Sequence, residues 1–598
     1  MSLAASLDER AVRSGDEATS EPVPDSRARR LGLFGCSPGR LLGLAALAVT
    51  VVSLAVLDYP VVFGRWEGFA TFPVMLGSGP VLALDITPGG FTYDFNKGRF
   101  SLVDAGYYTA EWLGWSLAAF RLPALIAGAL SVVLLFVVTR RAFGFWPALV
   151  GALALVVDPM FLLFWHQLIV STITVFFLLL VIERYQYLEL SRHQPRSLLW
   201  SVPTLALAFV FLLIHHGPGR VYGGVLMGYW AADVAWRAVQ ARRAGEPVDR
   251  ASLLAVPACG MLIVGFAVLL DVRNARYLAS PIELLVVPQS EFIKTTDHLR
   301  YVVENLPAMV TSIFPPLNLA PGWFGTYSTD VLVDYRYYVL PISMLPLFLL
   351  GLGMLLGQVR RSGSVRMPLL LLAVMFVGPL FSSGTSLSQF RMIYLAIPSY
   401  LCVAAGAAWL LARQGPVLRY GAAGLLAILL LIQVTMLGVE VSRHRAFMDA
   451  LADRWTPTMS VRELEKPEDL QTNADGDRLT NGSYRYYVDW GGVLARGAAQ
   501  RVKSRVEQPA GPRDVVVVQL DGPIQRGDDA APLKLVFFLR ELGMSAALFD
   551  PTTHQIRGSG YTRPSLVVAT NAASAMAARR LLETAGLNVQ VREVRPHR

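Results

Sequence analysis

The chain has 598 residues, of which 54% are hydrophobic and only 16% charged. That balance excludes an ordinary soluble protein of this size and points to a chain that crosses a membrane many times. The net charge of +9 does not indicate a nucleic-acid binder, because the Lys and Arg clusters sit in short segments between apolar runs and no basic stripe with interleaved aromatics occurs.

Residues 1–40 are predicted to be a disordered cytoplasmic tail, since Ser, Glu, Asp, Arg and Pro dominate its first thirty or so positions and leave no hydrophobic face to bury. The first apolar run begins near Leu41, after a long charged lead and without a small-residue cleavage pattern, so it reads as an anchor. Runs fit to cross hydrocarbon, at about 20 residues each, lie near 41–58, 122–138, 145–163, 166–187, 198–215, 219–237, 251–270, 339–357, 366–382, 392–411 and 419–440. The expected architecture is therefore an α-helical polytopic membrane protein of about eleven spans, occupying residues 41–440.

Loop charge orients it. With a cytoplasmic N-terminus, "TRR" at 139, "ELSRHQPR" at 189, "WRAVQARR" at 236, "GQVRRSGSVR" at 357 and "ARQGPVLR" at 412 all face the cytoplasm, as the positive-inside rule requires. The connections 59–121 and 271–338 then lie outside the plasma membrane, and so does everything from 441 to 598. This last part reads as a small extracytoplasmic α/β domain: "DVVVVQL" at 514, "SAALFD" at 545, "SLVVAT" at 565 and "VQVREV" at 589 are short buried strands, while "LKLVFFLRELG" and "ASAMAARRLLETAG" carry helical spacing.

The candidate residues sit where spans meet the outer face. Glu67 lies in "GRWEGFATFP", and Asp58 in "LDYP" at the end of the first span. Either carboxylate suits a general base at the membrane surface, against the plainer reading of a charge where a helix leaves the bilayer. Asp85, Asp94, Lys97 and Asp104 share the same outer loop, which is polar in any case. His166 falls at the outer end of a span, and Arg220 and Arg391 border spans, where a charge is costly unless it is used or snorkels. Adjacent His215 and His216 cannot share one helix face, so they are only a weak pointer to a divalent metal. Three cysteines, Cys36, Cys259 and Cys402, supply neither a disulfide framework nor a CxxC metal site. No cofactor is expected. The aromatic stretch "GWFGTYSTDVLVDYRYYVLP" at 322 reads as an interfacial belt, with sugar stacking by Trp323 or Tyr327 as the sharper alternative.

The order of features resembles a family. The acidic motif after the first span, the long outer loop, "GWSLAAFRLPALIAGAL" and then "TRRAFGFWPALVGALALVVDPMFLLFWHQ" are similar to the early region of GT-C class membrane glycosyltransferases, the group holding protein O-mannosyltransferases and lipid A aminoarabinose transferases (glycosyltransferase family 39-like). "LLIHHGPGRVYGG" at 212 resembles that family's Lys-Gly-Pro turn, and "QFRMIYLAIPSYLCVAAGAAWLL" at 389 its Arg-Tyr-leucine-proline span. The resemblance implies a GT-C fold and transfer of a sugar, with inversion, from a polyprenyl-phosphate carrier to an acceptor hydroxyl of a glycan, lipid or protein on the outer face. It implies catalysis by Glu67 with Asp58, and lipid-phosphate or substrate contact by Arg391, Arg220, His216, His166, Lys97 and Asp104. Membrane lipids are the surroundings and nucleic acid is not a partner. The chain departs from the family pattern at Trp66, which stands where the usual Asp precedes Glu67, at His166 and Ser171 in place of an Arg and an Asp, and at His216 in place of the Lys. The lost acids favour the alternative, a non-catalytic GT-C-like protein that binds lipid or scaffolds an envelope assembly, while the retained Arg220 and Arg391 favour the enzyme.

Overall fold

The computed structural model describes residues 38–57, 104–168, 170–191, 195–215, 217–270, 340–358, 369–374, 393–412 and 415–454, together with short stretches between 499 and 593. The chain falls into two compact units, Met1–Val49 and Thr50–Arg598. Helix α1, Pro38–Ala55, begins in the first and ends in the second.

The apolar sequence of the second unit takes the form that satisfies every backbone group without water, the helix. In chain order these are α2 Asp104–Leu113, α3 Leu117–Phe143, α4 Phe145–Val156, α5 Pro159–Trp165, α6 Val170–Ser191, α7 Pro195–His215, α8 Gly217–Arg243, α9 Arg250–Leu270, α10 Leu345–Gln358, α11 Ala396–Leu411 and α12 Pro416–Arg454. Single 3₁₀ turns at Ile342–Met344 and Ile393–Leu395 precede α10 and α11. Among the described residues four helical segments are long and apolar enough to cross a membrane: Pro38–Ala55, Leu117–Phe143, Ile393–Leu411 and Val417–Val439. Helix α12 continues past residue 440, where the outer domain was expected to begin, as far as Arg454.

Small residues set the closest helix crossing. A Cβ on Gly351 of α10 would collide with the carbonyl oxygen of Cys402, and one on Gly406 of α11 with that of Leu347. The two backbones therefore approach at the distance only glycine permits, the usual device where helices must associate without help from the hydrophobic effect. Helix α11 is buried along almost its whole length and also packs on α4. Helix α12 touches the bundle through a narrow stripe, with Ala422, Leu426, Gln433 and Leu437 buried, while Leu425, Ile428, Leu431 and Ile432 are exposed, as suits a helix facing lipid.

The run at 145–163, expected as one span, is instead two helices. Pro159 has no N–H to donate, and Asp158 adopts an extended conformation and caps α5 by accepting from the Phe161 N–H at 2.8 Å. A break inside so apolar a run survives only where its loose backbone groups find protein partners, and three side chains provide them. Tyr400 of α11 donates its hydroxyl to the Asp158 carboxylate, and Gln433 of α12 donates to the Ala154 carbonyl at 2.8 Å and to the Tyr400 oxygen at 3.3 Å. Asp158, Tyr400 and Gln433 are all buried.

Toward the C-terminus the described elements are β1 Val516–Gln519, α13 Ala531–Glu541, β2 Ala546–Asp550, β3 Gln555–Arg557, β4 Leu566–Ala569 and β5 Gln590–Glu593. Strand β1 pairs in parallel with β2, β2 antiparallel with β3, and β4 in parallel with β5. Helix α13 lies over β1 and β2, and β4 runs beside β1. The four apolar strand segments and the "LKLVFFLRELG" helix stand where their patterns place them, whereas β3 had no such signal and most of "ASAMAARRLLETAG" lies outside the described residues.

Candidate functional site at one end of the bundle

Most of the residues singled out in the sequence lie outside the described residues: Asp58, Glu67, Lys97, His216, Arg391, Asp85, Asp94, Trp323 and Tyr327. For Asp104, Ser171, His215 and Arg220 the helical backbone is described but not the side chain. His166 is described in full.

The described segments next to Asp58, Asp104, His216, Arg220 and Arg391 meet at one end of the bundle, and His166 is at the meeting point. It caps α5 at the C-terminal end, with its backbone N–H bonded to the Leu162 carbonyl at 3.1 Å and its Nδ1 3.0 Å from the same oxygen. Arg121 and the carbonyls of Leu54 and Ala55, in the last turn of α1, lie in its electrostatic neighbourhood. The first turn of α2, which opens with Asp104, rests on the residue two beyond His166: a Cβ on Gly106 would collide with Leu168 and crowd the Phe120 carbonyl. Thr109 secures α2 by donating to the Ala119 carbonyl at 2.7 Å.

The start of α8, which follows His216 in the chain, comes to the same end. A Cβ on Gly219 would lie 2.8 Å from the Thr174 Cγ2, in the first turns of α6, so this glycine lets the start of α8 pack directly beside the start of that helix. Tyr222, two residues after Arg220, packs its ring 5.1 Å from that of Tyr394. Tyr394 belongs to the 3₁₀ turn that begins two residues after Arg391, and that turn touches α5 and α6.

Trp165 braces the site from beneath. Its indole N–H donates to the Leu125 carbonyl at 2.7 Å, and its ring lies so close to Gly128 that any Cβ there would penetrate it. The aromatic face of α5 is thus fixed on α3, and the turn that follows it, His166–Gln167, is held in place.

The C-terminal elements dock at this same end. Phe537 of α13 makes edge contacts with Trp115 at 5.5 Å and with Phe120 at 5.8 Å. The Arg540 guanidinium lies over the Trp115 ring at 4.6 Å, a cation–π contact, and Glu541 Oε1 accepts from the Leu117 N–H at 3.3 Å. Helix α3 thereby has a free N–H of its first turn satisfied by a carboxylate from a distant part of the chain.

The opposite end is charged and zipped shut. Arg141, in the last turn of α3, bonds Glu183 of α6 at 2.6 Å, and Arg184 also pairs with Glu183. Arg237 of α8 forms a two-pronged pair with Glu189 at 2.8 and 2.9 Å and reaches Asp233 at 2.9 Å. Among the described residues no group of three or more His, Cys, Asp and Glu is arranged to hold a metal ion.

Two residues that sequence reasoning passed over belong to this site: Arg121 and Gln167. Arg121 is 3% exposed although charged, and only its place inside an otherwise apolar helix marks it in the sequence. Gln167 is fully buried, and neither its Nε2 nor its Oε1 has a hydrogen-bond partner. His166, 2% exposed, has its Nε2 in the same condition.

No protein-family model and no curated protein matches the chain. Its structure is similar to solved membrane glycosyltransferases. ArnT from Cupriavidus metallidurans in the apo state aligns with a TM-score of 0.44 and 15% identity over 92% of this chain and 89% of that one, and the same protein bound to undecaprenyl phosphate aligns with a TM-score of 0.42. The apo oligosaccharyltransferase from Archaeoglobus fulgidus aligns with a TM-score of 0.43 and 13% identity over 83% of this chain. The chain spans 64% of the length of that archaeal protein.

Proposed function

We propose that the chain is a membrane glycosyltransferase that moves a sugar from a polyprenyl-phosphate carrier to an acceptor hydroxyl on the outer face of the plasma membrane, with inversion. In this reading about eleven spans cross the bilayer, the N-terminus is cytoplasmic, residues 41–440 form the membrane domain, and residues 441–598 form an outer α/β domain. The observation that supports it most is the convergence, at one end of the bundle, of the described segments next to Asp104, His166, His216, Arg220 and Arg391. The other end carries the arginines of α3 and α8, and the positive-inside rule assigns that end to the cytoplasm.

The chemistry requires few groups. Glu67, with Asp58 as the second carboxylate, takes the proton from the acceptor hydroxyl. The oxygen attacks the anomeric carbon from the face opposite the carrier, a new C–O bond forms, and the bond from carbon to the phosphate oxygen breaks. The electron pair leaves on the lipid phosphate, whose charge Arg391, Arg220, His216 and Lys97 offset by charge-assisted hydrogen bonds. His166 and Asp104 contact the substrate. Purified protein assayed with a panel of polyprenyl-phosphate sugars tests this: Glu67→Gln lowers turnover at least about tenfold, as expected for loss of a positioned base.

Trp66 and Ser171, standing where the resembled family has carboxylates, favour a second reading in which the protein binds carrier lipid without turning it over. Tight binding of undecaprenyl phosphate with no transfer from any donor would establish that reading.

A further inference from the structure

We infer that the His166–Gln167 turn recognises the hydroxyl groups of the donor's sugar and not the carrier's phosphate, with Gln167 as the specificity-determining residue. The inference rests on the glycosyltransferase reading and assigns one part of its site.

The physical problem is the Gln167 amide. It is buried, and its two donor hydrogens and its acceptor oxygen all lack partners. A buried polar group in that condition is expensive. The turn is not badly folded: Trp165 is anchored to Leu125, His166 to Leu162, and the Thr172 hydroxyl donates to the Phe164 carbonyl at 2.6 Å. Backbone demands are met within a few residues of Gln167, yet its side chain is left open.

What would satisfy it follows from donor and acceptor counts. A phosphate oxygen only accepts, so it would answer the amide N–H but leave Oε1 bare. A sugar hydroxyl donates and accepts, and two neighbouring hydroxyls answer both ends of one amide. His166 stands beside it with Nδ1 held at the Leu162 carbonyl and the Leu54 and Ala55 carbonyls near its ring, so it fixes the turn and leaves Gln167 as the group with both a donor and an acceptor to offer. A charged phosphate would be served by the arginines instead.

Native mass spectrometry of the full chain in lipid nanodiscs tests the assignment, with undecaprenyl phosphate as one probe and undecaprenyl phosphates carrying glucose, mannose or a pentose as the others. The wild type is expected to bind at least one glycosylated carrier about tenfold or more tightly than the bare one. Gln167→Met, which keeps the shape and deletes the amide, removes that advantage and leaves the bare-carrier affinity within about twofold. Gln167→Asn, which keeps the chemistry one methylene further back, gives an intermediate loss and serves if the Met variant does not fold. Equal loss of both probes would make Gln167 a phosphate or purely structural residue, and no loss of either would make it a site for a trapped water; each result overturns the inference. A wild type that binds the bare carrier with no preference for any sugar overturns the inference alone. Failure to bind even the bare carrier takes the glycosyltransferase reading with it.

Discussion

The break at Asp158 invites a quantitative test. Tyr400→Phe removes one hydroxyl, deletes the bond to the Asp158 carboxylate, and leaves Gln433 with the Ala154 carbonyl as its remaining partner. Hydrogen bonds between membrane helices average about 0.6 kcal/mol and reach about 1.7, whereas bonds to charged groups in buried sites run to about 1.5–3 kcal/mol. Asp158 is 1% exposed, and the cost of Tyr400→Phe should lie near about 1.5 kcal/mol. Asp158→Ala should cost more, about 2–4 kcal/mol, because it removes the cap on the Phe161 N–H and strands the Tyr400 hydroxyl together. The double variant should cost clearly less than the sum, since once the carboxylate is gone the phenol keeps only the longer bond from Gln433 at 3.3 Å. Reversible unfolding of the purified protein in mixed micelles, followed by far-UV dichroism as denaturing detergent is titrated, measures all three. Costs that add within about 0.3–0.5 kcal/mol would mean that the two residues do not interact, and the account of how the break is tolerated would fail.

Further expectations follow from other contacts. Gly351→Leu forces α10 and α11 apart at their closest point, and it should lower the midpoint of the same unfolding transition by the equivalent of about 1–3 kcal/mol, while Gly353→Ala, which meets nothing within 4 Å, leaves it unchanged. Trp115→Ala and Arg540→Ala should each loosen α13 from α3, seen as faster protease cleavage in the segment 455–530 without loss of helical dichroism; unchanged cleavage would mean that the cation–π contact does not hold the C-terminal elements in place. A reporter that fluoresces only in the cytoplasm, fused after Arg598, should stay dark, and a bright signal would reverse the proposed orientation. Gly128→Val displaces the Trp165 ring and should reduce binding of glycosylated carriers, through the His166–Gln167 turn, more than binding of bare undecaprenyl phosphate.

Helices were legible in this sequence because hydrocarbon leaves few alternatives: an apolar run of span length has to satisfy its own backbone. Strands were legible where β-branched clusters such as "DVVVVQL" stood between turn-forming residues, and not at Gln555–Arg557, which has only one apolar residue. The break inside 145–163 was hidden by the same apolarity that revealed the helices. "VVDP" contains the Asp-Pro pair that caps and starts a helix, but reading it as a break at bilayer depth requires knowing that Tyr400 and Gln433, more than two hundred residues away, meet it there. The site follows the same rule. His166 drew notice as a titratable residue at a span end, while Gln167 beside it looks like any polar residue at a boundary. What makes it significant is the absence of partners around a buried amide, a property of three-dimensional packing that no spacing records. Charged residues announce themselves in an apolar sequence because burying them is conspicuous, so a reading by charge favours the groups that bind phosphate. A neutral group suited to a neutral sugar carries no such mark, and Gln167 stands out only by the hydrogen bonds its buried amide leaves unmade.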